Sequence, residues 1–138
     1  MHKFFTTDEE RNKMAKSCVD MINEYPDIFD GLDIDLEYPC PEGTKNCGDG
    51  IIPTDNDKGH FVALMSKFRE HLGDKKLLTI ASSPNPNIVT ALDFRLLDPI
   101  LDWYNIMTYD FTSGSFGDSF TGHQTPATKN LNDPLSTR

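Results

Sequence analysis

Three acidic side chains, Asp33, Asp35 and Glu37, stand at every second position of segment 31–37 and alternate with Leu32, Ile34 and Leu36. A period of two belongs to an extended strand, so the acids share one face and the aliphatics the other. Acids two apart on one face lie about 7 Å from each other and repel when all are ionised. One use of such a row is a plain solvated face. In a strand covered on both sides, however, crowding and desolvation keep at least one carboxylic acid protonated near neutral pH, which is what a general acid requires. Calcium is a poor competitor for the row. An EF-hand opening of this form demands Gly where Tyr38 stands and a bidentate Glu where Thr44 stands. Phosphoryl transfer lacks a glycine-rich cradle, and no Lys or Arg neighbours the acids.

The elements that must hold this row can be read in order. Thr7-Asp8-Glu9-Glu10 is a capping box and starts a helix, whose apolar stripe is predicted to be Met14, Cys18, Met21, Ile22 and Tyr25 until Pro26 ends it. After the acidic strand, residues 39–57 form a loop rich in Gly, Pro, Asn and Asp. A second helix begins near Asp57, buries Phe61, Leu64, Met65, Phe68 and Leu72, and ends at Gly73. Leu77–Ala81 is a buried strand closed by a loop over 82–86, a third helical segment covers about 94–101, and 103–111 is rich in strand formers. Beyond Phe111 the chain reads as loop. Helix and strand alternate three times, which predicts an α/β fold with a parallel sheet.

A chain of 138 residues is long enough for one domain, and 37% hydrophobic with 25% charged residues is ordinary globular composition. The net charge of -9 repels phosphate backbones and anionic headgroups, which argues against nucleic acid and membrane as partners. No apolar run approaches the roughly 18 residues that cross a bilayer, and the first residues lack the apolar stretch of a secretory signal. Cys40 and Cys47 share one loop, where spacing allows a bridge and does not decide it, whereas Cys18 is predicted to be a buried thiol. His2, His60, His71 and His123 are scattered, and neither they nor the cysteines form a metal motif, so no metal and no cofactor are expected.

Phe29-Asp30-Gly31-Leu32-Asp33-Ile34-Asp35-Leu36-Glu37-Tyr38-Pro39 resembles the DGxDxDxE signature of glycoside hydrolase family 18, which the family places on the fourth strand of a (β/α)₈ TIM barrel. Asn105-Ile106-Met107-Thr108-Tyr109-Asp110-Phe111 is similar to the MxYD signature of its sixth strand, and Thr121-Gly122-His123 resembles the segment that follows. The resemblance implies that residues 1–138 are part of a family 18 catalytic domain, about strands 4 to 6 with their helices. It implies a chitinase that hydrolyses β-1,4-linked N-acetylglucosamine polymers, with chitin or chitooligosaccharide as partner and an extracellular, secreted location.

Carried over residue by residue, Glu37 is the catalytic acid, Asp35 orients the 2-acetamido group of the sugar, and Asp33 shares a proton or hydrogen bond with Asp35. Tyr109 hydrogen-bonds the acetamido carbonyl, while Asp110, Met107 and Tyr38 are substrate-binding candidates. The acetamido oxygen then acts as nucleophile, so no second carboxylate is needed and configuration is retained. A chitooligosaccharide-binding lectin usually lacks the last acid, which is present here as Glu37, and an endo-β-N-acetylglucosaminidase shares the acids. Leu36 stands where many members carry Trp or Phe, and Asp30 has the wrong parity to join the row. A full barrel takes about 250 residues, so three strands imply exposed apolar edges and a tendency to self-associate.

Overall fold

The computed structural model describes residues 6–41, 53–112 and 121–128. The chain divides into two compact units, 1–106 and 107–138.

The first unit follows the order α1 (Asp8–Asn23), β1 (Gly31–Ile34), α2 (Asp57–Leu72), β2 (Leu77–Ser82), α3 (Pro86–Val89), α4 (Phe94–Leu97) and β3 (Trp103–Ile106). The strands form one parallel sheet in the order β1-β2-β3. Asp33 stands level with Thr79 and Thr79 with Trp103, so side chains of equal parity line up across the three strands.

Helix α1 starts where the capping box requires: Thr7 Oγ1 accepts from the Glu10 amide at 3.2 Å, and the Glu10 carboxylate accepts from the Thr7 amide at 3.2 Å. Its buried residues are Ala15, Val19 and Ile22. The predicted stripe was displaced by part of a turn, since Met21 and Tyr25 are exposed while Met14 and Cys18 pack partly against the core. Cys18 is thus a half-buried free thiol and not a fully buried one. The stripe of α2 is as expected, with Phe61, Leu64, Met65, Phe68 and Leu72 all buried, and Gly73 ends the helix at φ 67°. These two stripes enclose Leu78 and Ile80 of β2, and Leu32, Ile34 and Leu36 pack against them. Outside the core, Asn12 Oδ1 meets His71 Nε2 at 2.8 Å, joining α1 to α2.

Gly31 admits no side chain. A Cβ there would sit 2.0 Å from the Leu77 carbonyl oxygen, because β1 enters its ladder against the backbone of β2.

Three predicted elements differ in detail. The 82–86 loop gives way to a short helix, α3, with Asn85 as cap and Pro86 at its first position. The segment around 94–101 is helical only over Phe94–Leu97, and the strand expected over 103–111 ends at Ile106.

The amino-terminal ends of β2 and β3 are fastened by Arg69, near the end of α2. Its guanidinium donates to the carbonyls of Ile100 at 2.8 Å, Gly73 at 3.0 Å and Lys76 at 2.8 Å, and to Asp102 Oδ2 at 2.7 Å. Asp102 Oδ2 also accepts from the Leu78 amide at 2.7 Å. That amide, and then the guanidinium, hold the Asp102 carboxyl below the ordinary carboxylate range.

Among the described residues no helix is long and apolar enough to cross a membrane, and no group of three His, Cys, Asp or Glu could hold a metal ion.

Candidate active site

The acidic row keeps its period beyond the ladder. Asp33, Asp35 and Glu37 are exposed, while Leu32, Ile34, Leu36 and Tyr38 between them are partly buried, so the three acids project from one face as the alternation predicts. Only Gly31–Ile34 is hydrogen-bonded as strand; Asp35 to Glu37 continue past its end. One premise of the sequence reading fails. Among the described residues, none buries the acid-bearing face at Asp33, Asp35 or Glu37.

Asp33 is held by two neighbouring strands. Its Oδ1 accepts from the Thr79 hydroxyl at 2.5 Å and from Asn105 Nδ2 at 3.0 Å. Thr79 is buried and Asn105 exposed. Trp103 Nε1 in turn donates to Asn105 Oδ1 at 3.0 Å.

At the other end of the row, the partly buried Tyr38 lies beside Glu37 and Ser83. Burial, followed by the neighbouring Glu37, pushes the phenol well above its ordinary value, so it stays protonated. The Glu37–Tyr38 peptide is cis.

The chain following Tyr38 is anchored to the start of α2. Asp57 is buried and accepts from the Cys40 amide at 3.3 Å and the Thr54 amide at 3.2 Å, as well as from the Thr54 hydroxyl. Cys40 is disulfide-bonded; Cys47, the partner considered for it, lies outside the described residues, as does Thr44.

Met107, Tyr109 and Asp110 belong to the second unit. There Met107 and Asp110 are partly buried and Tyr109 is half exposed. Asp110 adopts φ 58°, a left-handed conformation that Asp tolerates better than most residues. Gln124 holds the turn: its Nε2 donates to Asp110 Oδ1, and its carbonyl accepts from the Phe111 amide at 2.9 Å. The segment Thr121-Gly122-His123 folds back in the same unit, with Gly122 so close to Thr112 that a Cβ would lie 2.7 Å from its hydroxyl oxygen.

Thr79, Ser83, Asn105 and Gln124 were not singled out from sequence. Thr79 and Asn105 could have been found by parity once the register was known, because both point to the side of the sheet that bears Asp33. Ser83 and Gln124 carry no such signal.

The family model for glycosyl hydrolases family 18 matches residues 2–138. Chitinase A1 of Niallia circulans is 40% identical over 108 residues, or 73% of this chain and 15% of that protein. Chitinase ChiA74 from Bacillus thuringiensis superposes with a TM-score of 0.78 at 32% identity, over 97% of this chain and 21% of that one. A family 18 N-acetylglucosaminidase from Paenibacillus barengoltzii superposes with a TM-score of 0.76 at 30% identity, over 96% of this chain and 39% of its own. The chain therefore spans well under half the length of each of these three proteins. A row of acids on one face of a parallel strand, an Asp-bearing turn after the third strand and a family match over almost every residue lead to one assignment: the chain belongs to family 18 of the glycosyl hydrolases.

Proposed function

We propose that this chain is the acid-bearing part of a (β/α)₈ barrel, strands 4 to 6 with their helices, in an enzyme that hydrolyses β-1,4-linked N-acetylglucosamine polymers. The observation that supports it most is Glu37 at the last place of the row, on the same face as Asp33 and Asp35. Chitinase A1 and Chitinase ChiA74, by their names, act on chitin, and this chain is similar to both.

In this reading Glu37 protonates the glycosidic oxygen. Asp35 orients the acetamido group, whose oxygen attacks the anomeric carbon to give an oxazolinium ion, and water then opens that ion with retained configuration. Asp33 supports Asp35. Tyr38, whose phenol stays protonated beside Glu37, is a neutral donor available to that acid or to substrate. Tyr109 hydrogen-bonds the acetamido carbonyl, while Asp110 and Met107 contact the sugar. The fixed, left-handed turn at Asp110 supports that role for its carboxylate. A secreted location suits an enzyme whose polymer lies outside the cell.

The test is Glu37→Gln in the native polypeptide that carries this chain. It keeps shape and removes the proton, so release of chitooligosaccharides should fall about 10²–10⁴-fold while binding is largely kept. Unchanged turnover would remove Glu37 from the mechanism. A parent that binds chitooligosaccharide without cleaving it would make the protein a lectin.

A further inference from the structure

Two side chains, one from β2 and one from β3, converge on one carboxylate oxygen of Asp33 in β1. Asp33 Oδ1 takes the Thr79 hydroxyl at 2.5 Å and Asn105 Nδ2 at 3.0 Å. Asn105 Nδ2 also lies 3.5 Å from Thr79 Oγ1, so that oxygen receives a donor on one side while its single proton is directed to Asp33. The remaining question is which end of the Asn105 amide faces the acid. An indole N–H can only donate, and Trp103 Nε1 donates to Asn105 Oδ1 at 3.0 Å, so the NH₂ must be the end turned toward Asp33.

We propose that Thr79 and Asn105, the latter pinned by Trp103, are positioning residues of the reaction: by engaging Oδ1 of Asp33 together, they fix its carboxylate in one rotamer and leave Oδ2 to serve Asp35. This rests on the hydrolase reading above. It adds to it a reason for the polar character of β2 and β3 at these two places. Thr79 is buried, at a strand position where Val would fill the same volume, and a hydroxyl is retained there only if it has a partner. Asp33 is that partner. Asp35 is thereby separated in role from Asp33: the former is aimed at substrate, the latter is tied down by the scaffold.

The experiment compares Thr79→Val, Thr79→Ser and Asn105→Leu in the native polypeptide, reading kcat and KM on a chitooligosaccharide and the ¹³C signal of the Asp33 carboxyl carbon. Thr79→Val should lower kcat about tenfold, the change expected for losing one charged hydrogen bond, with KM within about twofold of the parent. Thr79→Ser, which loses the methyl group and keeps the hydroxyl, should restore kcat and the parent Asp33 signal. Asn105→Leu should act in the same direction as Thr79→Val. If Thr79→Val does not fold, Asn105→Leu at its exposed position carries the same comparison. Thr79→Ser as slow as Thr79→Val, or losses appearing in KM alone, would overturn the proposal by showing that packing is all that matters. If the parent cleaves nothing, the hydrolase reading is what has failed. The Asp33 signal then decides the positioning: altered in Thr79→Val and restored in Thr79→Ser supports it, unmoved in both overturns it.

Discussion

At the amino-terminal ends of β2 and β3, the donors of Arg69 are spent on three backbone carbonyls and Asp102, whereas at the carboxyl end of β1 the acids Asp33, Asp35 and Glu37 remain exposed. The first arrangement closes a turn, a strand start and a helix end with one side chain. The second sets three like charges side by side on one face, which costs stability. A charge satisfied by backbone serves the fold, and an exposed row of acids is what the proposed reaction would use. Barrel proteins of this type divide stability and chemistry between the two ends of their strands in the same sense.

The division can be broken or sharpened by mutation. Arg69→Met should have the largest effect on folding, lowering stability by about 2–4 kcal/mol in urea unfolding, because it leaves several partners without a donor. Arg69→Lys should recover only part, since a single ammonium cannot reproduce the planar fork. If Arg69→Met instead slowed hydrolysis with stability intact, the two ends would not be separate in function.

The pH dependence tests the same clamp. The Asp102 carboxyl is held below its ordinary value when folded, so its contribution is present above the ordinary carboxylate range and is lost as pH falls from about 4 through the lower folded value. The urea midpoint should therefore drop with acidification across that window, less steeply in Asp102→Asn. An identical slope in both would place the acid sensitivity elsewhere.

Gly73→Ala should cost about 1 kcal/mol through backbone conformation alone, since φ is 67° and no atom lies within 4 Å of a built Cβ. The smallest effect belongs to the acidic row: Asp35→Asn and Glu37→Gln should change stability by no more than about 0.5 kcal/mol, or raise it slightly, while activity collapses. A large loss of stability in either would make the row structural.

The parts of the fold written in strong periodicity were legible in the sequence. The capping box, the α2 stripe and the two-residue alternation from Leu32 to Glu37 correspond to what is observed. The α1 stripe was misplaced because Met21 and Tyr25 are large and apolar yet exposed, whereas the buried Ala15 is small and weakly hydrophobic. Helix α3 was missed although Asn85-Pro86 is a start signal, because a single turn leaves no periodicity to count. The acids of the site were visible by type and spacing. Their supports were not: Thr79 and Asn105 lie 46 and 72 residues from Asp33, and only the register between strands brings them together.

Gly31 has a consequence for how such a signature would score in a saturation library. Any side chain at that position collides with the Leu77 backbone, so selection for function should return glycine there as strictly as it returns Glu37. The two positions would be indistinguishable in a tolerance map, yet one would be intolerant because of the proton the proposed reaction requires and the other because of an oxygen 2.0 Å away. Separating them requires assaying abundance beside activity: a Gly31 variant should disappear from the folded pool, and a Glu37 variant should remain in it, inert.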